Sequence, residues 1–222
     1  MRRLILVAVA LIIASPSVLE ARVPPSMLKT KEEQVAKSKW RATKKRLKAE
    51  GYKKNVFGID MGYIKDDFVL EPAKVIYVAP IKNMARPETE GLMDALSEAT
   101  RKKVVQLIEE TELFSKVTTK KKDKDKADYS LEIYVMEIET MFNIWASGSR
   151  LVWGVNLYDG ERNLLMAGYD RISSDAYSRD VRFLVDQMPS RSVLFVCRAN
   201  PEFNSEFKKL MRTHKIDWKI WN

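Results

Sequence analysis

Four large apolar residues at strict two-residue spacing, Leu151, Trp153, Val155 and Leu157, limit what this chain can fold into more than any other feature. Alternation of this kind puts one set of side chains on one face of a β-strand, so the strand buries one face and wets the other. Asp159-Gly160 follows as a tight-turn signal, and Leu164 to Ile172 reads as the returning strand of an antiparallel hairpin. Tyr129, Leu131, Ile133 and Val135 alternate in the same way with Ser130, Glu132, Tyr134 and Met136. Past Val135 the apolar parity flips to Met136 and Ile138, which predicts a β-bulge or a strand leaving the sheet edge.

Other elements fall around this hairpin. Lys74 to Ala79 is almost wholly apolar and stops at Pro80, the profile of a strand covered on both faces. Pro87, Glu88 and Glu90 open a helix to about Glu112, its acidic start suiting the helix dipole. Met93, Leu96, Val104, Leu107 and Ile108 give it an apolar face, while Glu98, Arg101, Lys102, Glu109 and Glu110 are expected to stay wet. Phe114 to Thr119 reads as a second strand. Ser173 to Asp175 marks a loop; Val181 to Met188 reads as a short helix stopped before Pro189, with Ser190 capping another. Asn200-Pro201-Glu202 is a cap followed by an N1 proline, predicting a helix to about Thr213. Ile216, Trp218 and Ile220 alternate, as an edge strand or a docking tail.

The order strand, helix, four strands, helices predicts an α+β two-layer sandwich over residues 73–222. Its sheet is expected to be mainly antiparallel, of about five strands, with helices on one face and an N-terminal basic helix added. The helix between the first two strands permits one parallel pair.

Upstream, Arg2 and Arg3 precede eleven apolar residues, Leu4 to Ala14. As a helix these span about 16 Å, half of a bilayer core. The pattern is that of a secretory signal peptide over residues 1–21, cleaved after Ala21, with an uncleaved anchor as the alternative. No Cys stands at this site, so lipid attachment at a bacterial lipobox is excluded. No later stretch approaches the ~18 apolar residues of a membrane span. The mature chain is therefore expected in the periplasm or secreted. Cys197 is the only cysteine, follows Val193 to Val196, and reads as a buried apolar thiol rather than a reactive one.

Charge is unevenly placed. Residues 29–54 hold 11 Lys+Arg against 3 Asp+Glu, a net +8, whereas residues 55–222 hold 25 against 26, a net −1. Residues 22–72 read as a basic helical arm and linker: Thr30 and Glu33 make a capping-box spacing, and Gly51 stands where a C′ glycine belongs. Ala36, Trp40 and Leu47 share a narrow face, and Lys37, Lys44, Lys45, Arg46 and Lys48 cover much of the rest. Two readings stand: a solvated arm packed through Trp40, or a contact for anionic headgroups or another acidic surface. Nucleic acid is not expected, because export removes the usual partner and the main domain adds no net charge. Lys120 to Lys126 reads as a polar loop or hairpin tip; it lacks the Gly and bidentate Glu of a calcium loop.

Chemistry-bearing constellations are missing. One Cys and one His exclude a disulfide framework, a Cys-rich zinc site and most His-based metal clusters. His214 lies at a basic helix end beside Arg212 and Lys215, a dipole partner rather than a catalyst. Glu137 and Glu139, two residues apart, read as glutamates on the wet face of a strand. No nucleotide-binding, nucleophile-elbow or metalloprotease motif occurs. No catalytic residue, metal or cofactor is expected, and the chain is not read as an enzyme. Met141, Phe142, Ile144 and Trp145, followed by Ser147-Gly148-Ser149, are either core, if the strands extend through them, or a protein or membrane contact at a hairpin tip. The possible partner contacts are Trp40, Lys44, Lys45, Arg46, Lys48, Phe142 and Trp145.

Val78-Ala-Pro80-Ile-Lys-Asn83, then Leu113-Phe-Ser-Lys-Val117, Ala127-Asp-Tyr-Ser-Leu-Glu132 and Val155-Asn-Leu-Tyr-Asp159, are phrases in a familiar order. Over about residues 73–172 the chain resembles small bacterial envelope domains, the group of the curli-secretion lipoprotein, the TolB amino-terminal domain and lipoprotein activators of penicillin-binding proteins. The resemblance implies a non-enzymatic α+β domain serving an envelope assembly. The group's usual lipid-anchoring Cys is absent here, and no site residue carries over. The expectation is an exported binding or accessory protein of the bacterial cell envelope, working through contacts with an envelope protein partner. The alternative is a protein that binds an anionic membrane or polyanion through residues 29–54.

Overall fold

The computed structural model describes residues 31–84, 90–142, 147–173 and 181–213. Helix α1 (Lys31–Ala49) comes first, followed by strands β1 (Lys53–Val56) and β2 (Ile59–Ile64). Next are β3 (Val75–Val78), β4 (Lys82–Asn83), helix α2 (Glu90–Glu110) and β5 (Lys116–Thr118). A 3-10 turn over Lys121–Lys126 leads to the long strands β6 (Tyr129–Phe142), β7 (Ser147–Asp159) and β8 (Leu164–Ser173). Helices α3 (Val181–Cys197) and α4 (Pro201–Thr213) follow.

The eight strands among the described residues form one mixed sheet in the order β1-β2-β8-β7-β6-β3-β5, with β4 also on β6. The α+β class is as expected, but the sheet is larger than five strands. Part of the excess is the β1–β2 hairpin, drawn from residues expected to be linker. Its turn is Phe57-Gly58, both at positive φ (51° and 89°), which suits the right-handed twist of a two-residue hairpin. β2 then pairs with β8, Met61 opposite Tyr169 and Gly62 opposite Gly168. The signal was weak because β1 reads Lys-Lys-Asn-Val, a polar edge strand with no alternation, and such lysines protect an exposed edge from pairing with another chain.

Three strand pairs are parallel: β3–β5, β3–β6 and β4–β6. β3 and β4 run along the same side of β6, and Pro80, which has no N–H to give a ladder, falls between them. Val78 pairs with Leu131 and Lys82 with Tyr134, so the β3–β4 side carries one extra residue there. Arg101 of α2, expected to be wet, instead turns inward and donates to the carbonyls of Val78 (2.7 Å) and Thr119 (2.9 Å), tying down the ends of β3 and β5.

The hairpin of β7 and β8 forms as the alternation demands, and the bulge in β6 lies between Val135 and Glu137, where the parity flips. The turn itself works differently from the dipeptide signal: Arg162, at φ 70°, takes the left-handed position. Asp159 Oδ1 accepts from the backbone of Glu161 (3.0 Å) and Asn163 (2.7 Å), so its carboxylate organises the loop.

On one face, Leu131, Ile133, Val135, Trp153, Val155 and Leu157 meet Val104, Leu107 and Ile108 of α2, Val193 to Cys197 of α3, and Phe203 and Phe207 of α4 in one core. Ile59 and Leu70 belong to that core too, so the segment before residue 73 contributes to it directly. Trp153 is fully buried and spends its indole N–H on Ser192 Oγ (3.1 Å). Cys197 is buried, and burial pushes its thiol up to about 12 against a bond with Thr111. The expected break at Pro189 does not occur. α3 runs through it, with Met188, Pro189 and, one turn on, Val193 all buried, so packing outweighs the lost hydrogen bond. Helix α4 starts as predicted, with Asn200 Oδ1 accepting from the Phe203 N–H (3.0 Å).

A polar tie crosses this core. Asp170 Oδ2 accepts from Arg191 Nε (2.6 Å), and its Oδ1 from the backbone of Arg171 (3.0 Å) and Asp60 (3.3 Å). Arg191 also donates to the Gly58 carbonyl (2.8 Å), so the pair joins β8, α3 and the β1–β2 turn. His214, the tail from Ile216 and Trp145 lie outside the described residues. Among the described residues no helix is long and apolar enough to cross a membrane.

Candidate functional site

The face of the sheet away from α2 and α3 is the place to look, because its side chains are the ones the core does not claim. On this face the row Tyr134–Gly154–Tyr169–Met61 crosses β6, β7, β8 and β2. Gly154 has no side chain, and the Tyr134 ring lies directly over it; a Cβ there would overlap the ring. Tyr169 meets Tyr134 edge-on (6.2 Å between centroids) and Tyr52 edge-on (5.5 Å), and Tyr52 reaches Tyr63 (5.9 Å). Tilted and edge-to-face rings at such spacing attract, so the cluster is rigid.

One row further, Asn156 donates to the Tyr158 hydroxyl (3.0 Å), and the Arg162 guanidinium covers the Tyr158 ring at 4.5 Å. Arg162 also pairs with Glu132 Oε1 (2.9 Å), whose Oε2 accepts from Lys82 (2.9 Å). Burial pushes the Glu132 carboxyl up, but the bonds from Lys82 and Arg162 outweigh it, and the net shift is downward. Tyr52 and Tyr134 move the other way: burial, together with the neighbouring Tyr169, holds both phenols above their ordinary value. The face therefore presents half-buried tyrosines beside the buried Glu132 carboxylate, which the exposed Lys82 and Arg162 both hold. Rigid aromatic area with fixed hydroxyl and amide donors is what a recognition surface needs. Among the described residues no three His, Cys, Asp or Glu side chains gather to hold a metal.

Helix α1 lies over the β2–β8 side of this face. Its Trp40 and Leu47, seven residues apart, are both buried, so the thin stripe is the docking seam. Trp40 Nε1 donates to Asp60 Oδ2 (3.1 Å), the same oxygen that Lys44 reaches at 3.0 Å. Arg171 stands 5.9 Å from the Trp40 ring. The helix ends in a Schellman closure: Tyr52 N–H bonds the Leu47 carbonyl and Gly51 N–H that of Lys48, with Gly51 at φ 90°. That closure turns Tyr52 into the tyrosine cluster.

The residues singled out from sequence are therefore dispersed. Trp40 and Lys44 make the clasp; Lys45, Arg46 and Lys48 point to water, Arg46 facing Glu50 at 3.6 Å. Phe142 ends β6 opposite Ser147. Glu137 and Glu139 pair in register with Val152 and Arg150 of β7. Sequence reasoning missed the tyrosines. The available signal was Tyr134, Tyr158 and Tyr169 at the wet parity of three strands, where Lys, Glu or Thr would be ordinary.

No protein-family model matches the chain, and neither does any curated protein. Solved structures of similar shape include a PelC dodecamer from Paraburkholderia phytofirmans, at 10% identity over 60% of this chain and 96% of that one, with TM-score 0.47. Lipoprotein GNA1162 from Neisseria meningitidis is 19% identical over 53% of this chain and 98% of its own, TM-score 0.36. A neuraminyllactose-binding hemagglutinin homolog from Helicobacter pylori is 10% identical over 68% and 97%, TM-score 0.40. The function is accordingly argued from the residues of this chain.

Proposed function

We propose that this chain is an exported, non-catalytic accessory protein of the bacterial cell envelope that works by contact with a protein partner through the tyrosine face of its sheet. The observation that carries the reading is the continuous strip Tyr63–Tyr52–Tyr169–Tyr134, extended by Asn156, Tyr158, Arg162 and Glu132. Tyrosine contributes large contact area at low entropic cost, having few rotatable bonds, and arginine over an aromatic ring is a common interface anchor. The sheet beneath is closed on its other side by the core, so the strip is held at fixed geometry before any partner arrives. The basic leader and apolar run at residues 2–14 support export.

Photo-crosslinking tests it. With a photoreactive residue in place of Tyr63 or Tyr158, the protein in its native envelope should form adducts of a few defined masses. The same residue in place of Lys102, on the exposed side of α2, should form none. Equal labelling from both faces, or no adduct from the tyrosine positions, would refute the contact.

A further inference from the structure

Gly154 stands inside β7, where glycine is locally unfavourable: it loses more freedom on ordering than any other residue and brings no side chain to pack. Its backbone does not call for glycine. Among the described residues only Gly51 and Gly58 are glycines at positive φ. Gly154 lies in the ladder, opposite Tyr134 of β6 on one side and Tyr169 of β8 on the other. What the missing Cβ provides is room. The Tyr134 ring lies across the strand at this point, its ring carbons and hydroxyl filling the place a Cβ would take.

That ring is where two halves of the tyrosine face meet. On one side it makes the edge-on contact with Tyr169 at 6.2 Å, and Tyr169 leads on to Tyr52 and Tyr63. On the other its hydroxyl donates to Asn156 Oδ1 (3.5 Å), and Asn156 leads on to Tyr158, Arg162 and Glu132. Both contacts need the ring laid flat across β7. A side chain at 154 would lift it away from Tyr169 and Asn156 together, leaving two separate patches.

We infer that Gly154 is a positioning residue of the contact face: by seating Tyr134 flat across β7 it joins the two halves into one surface that the partner engages as a unit. This rests on the protein-contact reading above and adds the residue that sets the shape of that face. The competing role is packing alone, a tyrosine covering a bare stretch of strand to stabilise the sheet. Alanine at 154 separates the two. It removes the entropic cost of glycine from the strand while driving the ring out of its seat, so a positioning role loses contact and a packing role loses stability.

Gly154→Ala is made in the full chain, with the photoreactive residue at Tyr63 or at Tyr158 so that each half is read separately. Adduct yield in the native envelope should fall about 30-fold from both positions, the loss of one central anchor, while the urea midpoint stays near the parent's. Tyr134→Phe keeps the ring seated and should cost about 5-fold at most. If Gly154→Ala alone does not fold, Gly154→Ala/Tyr134→Ala should, with the same adduct yield as Tyr134→Ala, about 30-fold below the parent. A readout that needs no partner is alkaline titration by ultraviolet absorbance. Burial and the neighbouring Tyr169 hold the Tyr134 phenol above its ordinary value, so in Gly154→Ala one further tyrosine should ionise near about 10. An unchanged titration, a loss of adducts from one position only, or a lowered midpoint with adducts kept in the folded fraction each overturns the inference. A parent that forms no adducts refutes the contact reading and this role with it, whereas parent adducts that survive Gly154→Ala refute this role alone.

Discussion

Asp170 and Arg191 are where this fold is most exposed to a single substitution. The carboxylate is almost wholly out of water, and burial pushes its pKa up to about 6 even though Arg191 pulls the other way. Removing one member of such a pair strands a buried charge, while replacing both by groups of similar shape removes the problem with the pair. Arg191→Met is therefore expected to destabilise the protein by about 3–5 kcal/mol in urea unfolding, and Asp170→Asn/Arg191→Met to recover much of that loss. A cost below about 1 kcal/mol for the single variant would show that the tie is not structural. Neither partner was legible in the sequence, because Asp170 sits at the alternation's apolar parity and reads as an interruption of it. Trp40 and Cys197 were legible, since a large aromatic in a lysine-rich helix and a thiol in a valine-rich run have few places to go.

Among elements, those with strong local chemistry formed where they were expected. Gly51 closes α1, Asn200 and Pro201 open α4, and the parity flip after Val135 is a bulge. Elements whose outcome depends on distant neighbours did not follow local rules: α3 ignores its proline, and residues 53–64 become strands. Helix α1 shows both sides of this. Its existence follows from its own residues, but its attachment rests on Trp40, Leu47 and the Asp60 clasp. Leu47→Ala should cost about 2–4 kcal/mol by the loss of a fully buried side chain. It should also speed tryptic cleavage at the lysines and arginines between residues 39 and 48. If cleavage there is as slow as in the parent protein, α1 is held by something other than this seam.

At the scale of the whole molecule, the sheet crosses the boundary that charge and composition suggest. β2 protects the edge of β8, and Ile59 and Leu70 fill the same core as Trp153. A chain beginning at residue 73 should therefore be unfolded or aggregated, with an open β8 edge and a cavity where these residues stood. A monomeric, cooperatively unfolding product in gel filtration and circular dichroism would refute this. The amino-acid sequence determined the α+β class, the β6–β7–β8 meander, its bulge, the helix caps and the separation of charge, because each depends on residues within a few positions of one another. Only the tertiary structure decided that β1 and β2 extend the sheet, that α1 lies across its second face, and that five tyrosines from five separate segments make one surface. Those outcomes come from side chains far apart in the chain competing for burial, and no local pattern records which of them will meet.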